Sequence, residues 1–404
     1  MNNLSPRISC ALAALFLLAA TVVGRAAAPA TAPEPDSWND PATGHQVVRI
    51  SRLQGKSATS FYFNQTAFTD AGDKMVFMTG DGLYTVEMPK GDEVGSLKTT
   101  RIAELKSLVA FPIVAPISRQ VFYLTKERTI LGTEIDTGKT RVIRTLPEDW
   151  DLALESISGL TLNSDETLLC GVEKKGLGAV FATGKTRGDK IAMAYAAHLP
   201  TFLFTVNTKS GDWKQIYGTN EWLNHTQFSP ANPRLLLFCH EGPWQKLDRI
   251  WLIQSDGSGL INVHPRKRAD ESYGHEFWSA DGTTIWSDHY VPGNRNRFLN
   301  GYNASTGAEA EYVVQRDWLS RHYNISHDGR FFAGDGEPNN PTPMIRLFIP
   351  QTDGTLKAEN LCSIAKNNFN SREPNVMFSR DDKWIIFMST QTGTSQIYAV
   401  KVAK

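Results

Sequence analysis

"FWSADGTTIWSD", residues 277–288, decides the fold. An apolar strand end runs into Ser279-Ala280-Asp281-Gly282, the chemistry of a tight turn, and then into alternating apolar and polar residues. Relatives of this phrase recur along the chain: "AFTDAGDKMVFMT" from Ala67, "PISRQVFYLT" from Pro116, "LTLNSDETLLCGV" from Leu160, "QFSPANPRLLLFCH" from Gln227, "NISHDGRFFAGDG" from Asn324 and "MFSRDDKWIIFMS" from Met377. Anchored on Phe68, Ile117, Leu162, Phe228, Trp278, Ile325 and Phe378, the seven copies stand 45 to 66 residues apart. The Pro116 copy is the weakest, with neither Gly nor Asp in its turn.

Several units carry a second hairpin downstream, as in "RIWLIQSDGSGLINV" and "IRLFIPQTDGTLKAENL". Four strands per unit at this period predict an all-β chain, a seven-bladed β-propeller with four-stranded blades. "HQVVRISRL" near the start should supply the outer strand that closes the last blade beside "QIYAVKV". Helical periodicity is expected, if anywhere, only within the longest interval, after Leu162.

Residues 1–28 read as a secretory signal peptide, with Arg7 ahead of the apolar run "CALAALFLLAATVVG" and an Ala-rich end. Residues 29–45 read as a lead-in linker and 46–404 as one propeller domain, which predicts a periplasmic or secreted protein without a membrane anchor. The 404 residues contain 42 Lys+Arg and 42 Asp+Glu, so the overall charge gives no reason to expect nucleic acid as a partner. Beyond Cys10 the chain has Cys170, Cys239 and Cys362, an odd number in apolar strands, which predicts buried thiols rather than a disulfide scaffold.

In a propeller the A–B and C–D turns share one face, and the B–C loops and D-to-A crossovers share the other. The first face receives short turns; the second receives "HEGPWQKLD", "HYVPGNRNR", "QRDWLSRH" and "KNNFNSREPN", and is the expected working face. Its loops collect Lys246, Arg249, Arg266, Lys267, Arg268, Arg295, Arg297, Arg316, Arg321 and Arg372, a one-sided excess suited to an anionic ligand. Three residues before the anchors stand Gln65, His225, His275, His322 and Asn375, with Val114 and Gly159 in the remaining two repeats. With only 9 His in the chain, three in this register predict a functional ring around the axis. Imidazole, amide and carboxylate groups are the donor set of a Mn²⁺- or Zn²⁺-like cation. No G-x-S-x-G elbow and no Gly-rich phosphate loop occurs.

The segments "WLNHTQFSP" (222–230), "FCHEGPW" (238–244) with "DRIWLIQSDGS" (248–258), "GHEFWSADGTTIW" (274–286) and "DPATGHQVVRIS" (40–51) resemble the oligogalacturonate lyases, a pectate-lyase family of seven-bladed propellers, from about residue 37 onward. The resemblance implies a metal-dependent β-elimination on short, acidic oligogalacturonates. It puts the catalytic base on His275 and an assisting arginine on Arg249. It implies a divalent cation, usually Mn²⁺, with His322 as a ligand. The family's other ligands, a Gln and two His, correspond to Asn370, Glu373 and Asn375, a shift from imidazole toward oxygen donors. Gln65, His225, His240, Lys246 and Arg321 are the expected substrate contacts. The competing expectations are a lyase for another acidic oligosaccharide and a non-catalytic periplasmic binding propeller.

Overall fold

The computed structural model describes residues 35–88, 97–105, 108, 110–150, 159–294 and 297–404. The signal peptide, the first part of the lead-in and Arg295 lie outside the described residues. Seven antiparallel sheets follow one another in chain order, each running A-B-C-D. The first comprises Ala58–Thr59, Lys74–Thr79, Gly82–Glu87 and Thr99–Glu104; the fifth comprises Ser272–Trp278, Thr284–Tyr290, Arg297–Asn303 and Glu309–Val314. The seventh joins the two ends of the chain. Its Met377–Phe378, Trp384–Ser389 and Gln396–Lys401 strands are completed by Gln46–Arg49, with Val47 opposite Val400. The lead-in is in part sheet as well: Ser37–Asn39 pairs with Gln46–Arg49 as a fifth strand.

The repeated Ser/Asp turns serve the same purpose in three consecutive blades. The Ser279, Ser326 and Ser379 hydroxyls donate to the Asp two residues on, at 2.6, 2.8 and 2.7 Å, and fix the turn before the second strand. Gly282 and Gly329 provide the left-handed residue, with φ of 66° and 72°; Asp382 takes this position in the last blade with φ 57°. Alternate side chains leave each sheet toward its neighbours, so the apolar core forms seven seams between blades, rich in buried aromatics such as Phe77, Phe204, Phe277, Phe348 and Tyr398. The longest repeat interval contains two helices, Leu177–Thr183 and Arg187–Ala197, inserted between the second and third strands of blade three. Cys170, Cys239 and Cys362 are free and buried. No helix among the described residues is long and apolar enough to cross a membrane.

Candidate active site

Three of the five polar residues picked out by the register have non-glycine backbones in the left-handed region: His225 at φ 48°, His275 at 47° and Asn375 at 52°. For a side chain other than glycine this conformation costs on the order of 1–3 kcal/mol and clusters at functional sites. In blades four and five it coincides with a β-bulge. The pairing slips between Asn224 and Gln227 and again between Gly274 and Phe277. Each bulge turns an imidazole out of the sheet toward the axis.

His275 lies edge-on to His322 with ring centroids 4.8 Å apart. Its Nδ1 is 2.7 Å from Asp288 Oδ2, an acceptor that places the ring proton on Nδ1 and leaves the Nε2 lone pair available. Nε2 has no hydrogen bond to any described residue. Burial lowers the pKa of this ring below the ordinary imidazole value; Asp288 works against that, and the charges of His322 and Arg249 add to it. A largely buried imidazole that is neutral at ambient pH, with a fixed tautomer and one edge reachable from the axis, is a competent proton acceptor.

His322 is held in the same way. Its Nδ1 is 2.7 Å from Asp335 Oδ2, and its backbone N–H donates to Asp335 Oδ1 at 2.8 Å. The Asn375 N–H donates to the same carboxylate at 3.1 Å, so Asp335 organises two register positions at once. Glu373 Oε2 stands 3.8 Å from His322 Nε2 while its Oε1 accepts from Arg321 at 2.6 Å. Burial disfavours the imidazolium of His322, yet Asp335 and Glu373 hold its pKa above the usual value. Asn375 Oδ1 is buried and has no hydrogen-bond partner. A buried imidazole Nε2 backed by a carboxylate, a carboxylate oxygen opposite it and an orphaned amide oxygen form a donor set that fits a divalent cation. Asn370 is exposed on the turn that follows Asn368, and its side chain has no hydrogen bond to this group.

Arg249, expected among the exposed basic loop residues, is 3 % exposed and lies between two carboxylates. Its Nε donates to Glu276 Oε2 at 3.0 Å, and its Nη1 donates to Glu241 Oε1 at 2.9 Å. The guanidinium carbon lies 4.7 Å from the Trp244 ring centre, and Trp244 stands edge-on to His275 at 5.0 Å. A methyl group on Gly274 would run into that indole, which explains a glycine immediately before the histidine. The basic excess of the face is also partly neutralised locally, by Asp248 beside Arg266, Glu309 beside Lys267 and Glu373 beside Arg321.

The other expected contacts divide. His225 lies with its Nε2 3.3 Å from Glu241 Oε2 and its ring 5.8 Å from that of Tyr62. His240 alternates to the opposite side of its strand from Cys239 and Glu241; its ring stacks on Trp251 at 4.9 Å, and burial lowers its pKa to about 4. Lys246 is exposed in the short 3-10 turn Trp244–Lys246. Gln65 lines a separate axial cavity of about 380 Å³, shared with A–B turn residues such as Ser164, Ser279 and His327. Between that cavity and the histidines stand Tyr62 and Phe63, which the repeat register did not single out. Phe63 stacks on His322 at 4.7 Å, and the Tyr62 hydroxyl is 3.4 Å from His322 Nε2. Asp288 and Asp335 were missed too, although a signal existed: each stands 13 residues after its histidine, in successive repeats.

Fold and site together define a propeller enzyme whose chemistry is gathered where the innermost strands begin. The sequence profile of the oligogalacturonate lyases matches residues 34–360, and the chain belongs to that family, among the polysaccharide lyases. It is 25 % identical over 391 residues to the oligogalacturonide lyase of Pectobacterium atrosepticum and 26 % identical over 385 residues to the oligogalacturonate lyase of Dickeya dadantii; both alignments cover 91 % of this chain and 95 % of the relative. Among solved structures, the Vibrio parahaemolyticus oligogalacturonate lyase superposes with a TM-score of 0.79 at 25 % identity. An oligogalacturonate lyase in complex with manganese superposes with 0.78 at 24 % identity; each comparison covers 91 % of this chain and 96 % of the other.

Proposed function

We propose that the protein cleaves oligogalacturonates by β-elimination, with His275 as the base that removes the proton at C5, beside the uronate carboxylate. The observation that carries this reading is the His275–Asp288 pair: a tautomer-fixed, neutral imidazole with a free Nε2 beside a buried arginine and a cation-type donor set. Arg249, held rigid by Glu241 and Glu276, is aimed at developing negative charge without reorganising. His322, Glu373 and Asn375 would hold a divalent cation, manganese by likeness to the family's manganese complex, and when bound it supplies positive charge against the substrate carboxylate. Tyr62 and Phe63 close the axis behind the sugar and keep water out. Arg321 orients Glu373, and Lys246 adds positive charge at the rim. The apolar N-terminal run supports export to the periplasm or medium.

The test is incubation with a galacturonate oligomer series and Mn²⁺, following the ultraviolet absorbance of the unsaturated uronate. Product that appears with Mn²⁺ and disappears with chelator supports the reading. No absorbance change with any uronate oligomer, with or without metal, overturns it.

A further inference from the structure

β-Elimination breaks two bonds, and the base accounts for only one of them. As the C5–H pair becomes the C4=C5 double bond, the C4–O4 pair leaves with the departing sugar oxygen, which must gain a proton. In a galacturonate O4 is axial and H5 lies on the opposite ring face, so the proton donor stands across the sugar from the base. From the geometry we propose that His225 is that donor, a second catalytic histidine; the proposal rests on the lyase reading above.

Four observations converge on this residue. His225 has the register position and the strained backbone of His275 in the adjacent blade, φ 48° against 47°, at the same kind of bulge. The side chain is only 11 % exposed, yet the ring lies against Tyr62 beside the other register histidines rather than in an apolar seam between blades. Its Nε2 faces Glu241 Oε2 at 3.3 Å, which orients the ring, while Nδ1 has no hydrogen bond to any described residue. Around the ring stand Glu241, the Cys239 thiol, Arg249 with its partner Glu276, and Tyr62. Two carboxylates, Glu241 and Glu276, and the Arg249 guanidinium thus share this corner of the site, with the Lys174 ammonium on Asn224 Oδ1 at 3.1 Å just behind it. Tyr323, a phenol next to His322 in sequence, is buried, and its hydroxyl accepts from the Ser320 N–H at 3.0 Å.

The roles of the two histidines then differ by their partners. His275 uses Asp288 on Nδ1 and works through Nε2; His225 uses Glu241 on Nε2 and works through Nδ1. In one turnover the proton from C5 passes to His275, the C4–O4 bond breaks heterolytically, and His225 gives its proton to O4. Exchange with solvent restores both rings, so no oxidant or additional reactant is needed.

A leaving group that needs no proton isolates this role. Wild-type enzyme, His225→Gln and His275→Ala are assayed with trigalacturonate and with a galacturonate bearing a 4-nitrophenyl ether at O4, whose departing phenolate is stable without protonation. His225→Gln should lose about 10²–10⁴-fold in kcat on the sugar substrate and remain within about tenfold of wild type on the aryl ether; His275→Ala should fail on both. In the wild-type enzyme, with no substitution needed, kcat should fall on the alkaline side with trigalacturonate and show no such fall with the aryl ether. Equal losses of His225→Gln on both substrates, no loss on either, or an identical alkaline limb for the two substrates overturns the proposal. Wild-type inactivity on both substrates overturns the lyase reading itself.

Discussion

Replacing Asp288 separates a base whose tautomer is fixed by a carboxylate from one that merely sits beside it. In the native protein Asp288 Oδ2 accepts from His275 Nδ1 at 2.7 Å. Asp288→Asn keeps the shape and burial but can present an N–H to Nδ1, which favours the tautomer with the proton on Nε2, where the lone pair is needed. The active tautomer then loses a hydrogen bond to a charged acceptor, about 1.5–3 kcal/mol, and the imidazolium formed on proton abstraction loses its counter-charge. Together these amount to about 3–4 kcal/mol, or roughly 10²–10³ in kcat. Asp288→Ala leaves both tautomers accessible and admits water, so it should lose only about 10–100-fold. The amide should therefore be the more harmful change despite being the more conservative one. The assay is kcat on trigalacturonate with saturating Mn²⁺, with far-ultraviolet circular dichroism showing intact folding. A wild-type rate for Asp288→Asn, or a smaller loss for Asn than for Ala, would refute the reasoning.

Other perturbations follow from the same geometry. Gly274→Ala drives a methyl group into the Trp244 ring and should cost about 1–3 kcal/mol in denaturant unfolding while lowering kcat, because that indole borders both His275 and Arg249. Glu276→Ala leaves a buried guanidinium with one carboxylate instead of two, a loss of about 3 kcal/mol measurable by the same unfolding. Glu373→Gln should weaken Mn²⁺ binding at least about tenfold by calorimetric titration, with no matching loss of fold. His240 and His264 both have pKa values lowered to about 4 by burial. Between the ordinary imidazole value and pH 4 the unfolded chain therefore binds protons that the folded chain does not, and stability falls as pH falls through that window. Each ring contributes up to about 3 kcal/mol. Thermal unfolding in buffers from pH 7 to 4 should show a falling midpoint, and His240→Asn should flatten the slope.

The chain makes its blades legible because the Ser/Asp turns and alternating strands recur as contiguous phrases. The same register also brought His225, His275 and His322 to one end of the innermost strands, where they do face the axis. What it could not reveal is cross-strand. Asp288 and Asp335 come from second strands and meet their histidines only after pairing, and Asp288 lies opposite Gly274 rather than opposite His275. The bulges of blades four and five were hidden because histidines, not glycines, occupy their left-handed positions. Arg249 looked like surface charge because its neutralising partners, Glu241 and Glu276, sit 8 and 27 residues away. Tyr62 and Phe63 stand six and five residues before the Phe68 anchor, outside the one position compared between repeats. Gln65 satisfied the register and His240 the family motif, but neither the direction: the His240 ring turns to Trp251, and the Gln65 side chain lines the cavity on the turn side.

The central claim is that His275 removes the C5 proton. Its most direct test is single-turnover exchange and elimination with trigalacturonate deuterated at C5, comparing wild type with His275→Ala at saturating Mn²⁺. The wild-type enzyme should show a primary isotope effect on product formation, and His275→Ala should bind Mn²⁺ normally while losing more than about 10²-fold in the elimination rate. An undiminished rate in His275→Ala, with the isotope effect intact, would contradict the account.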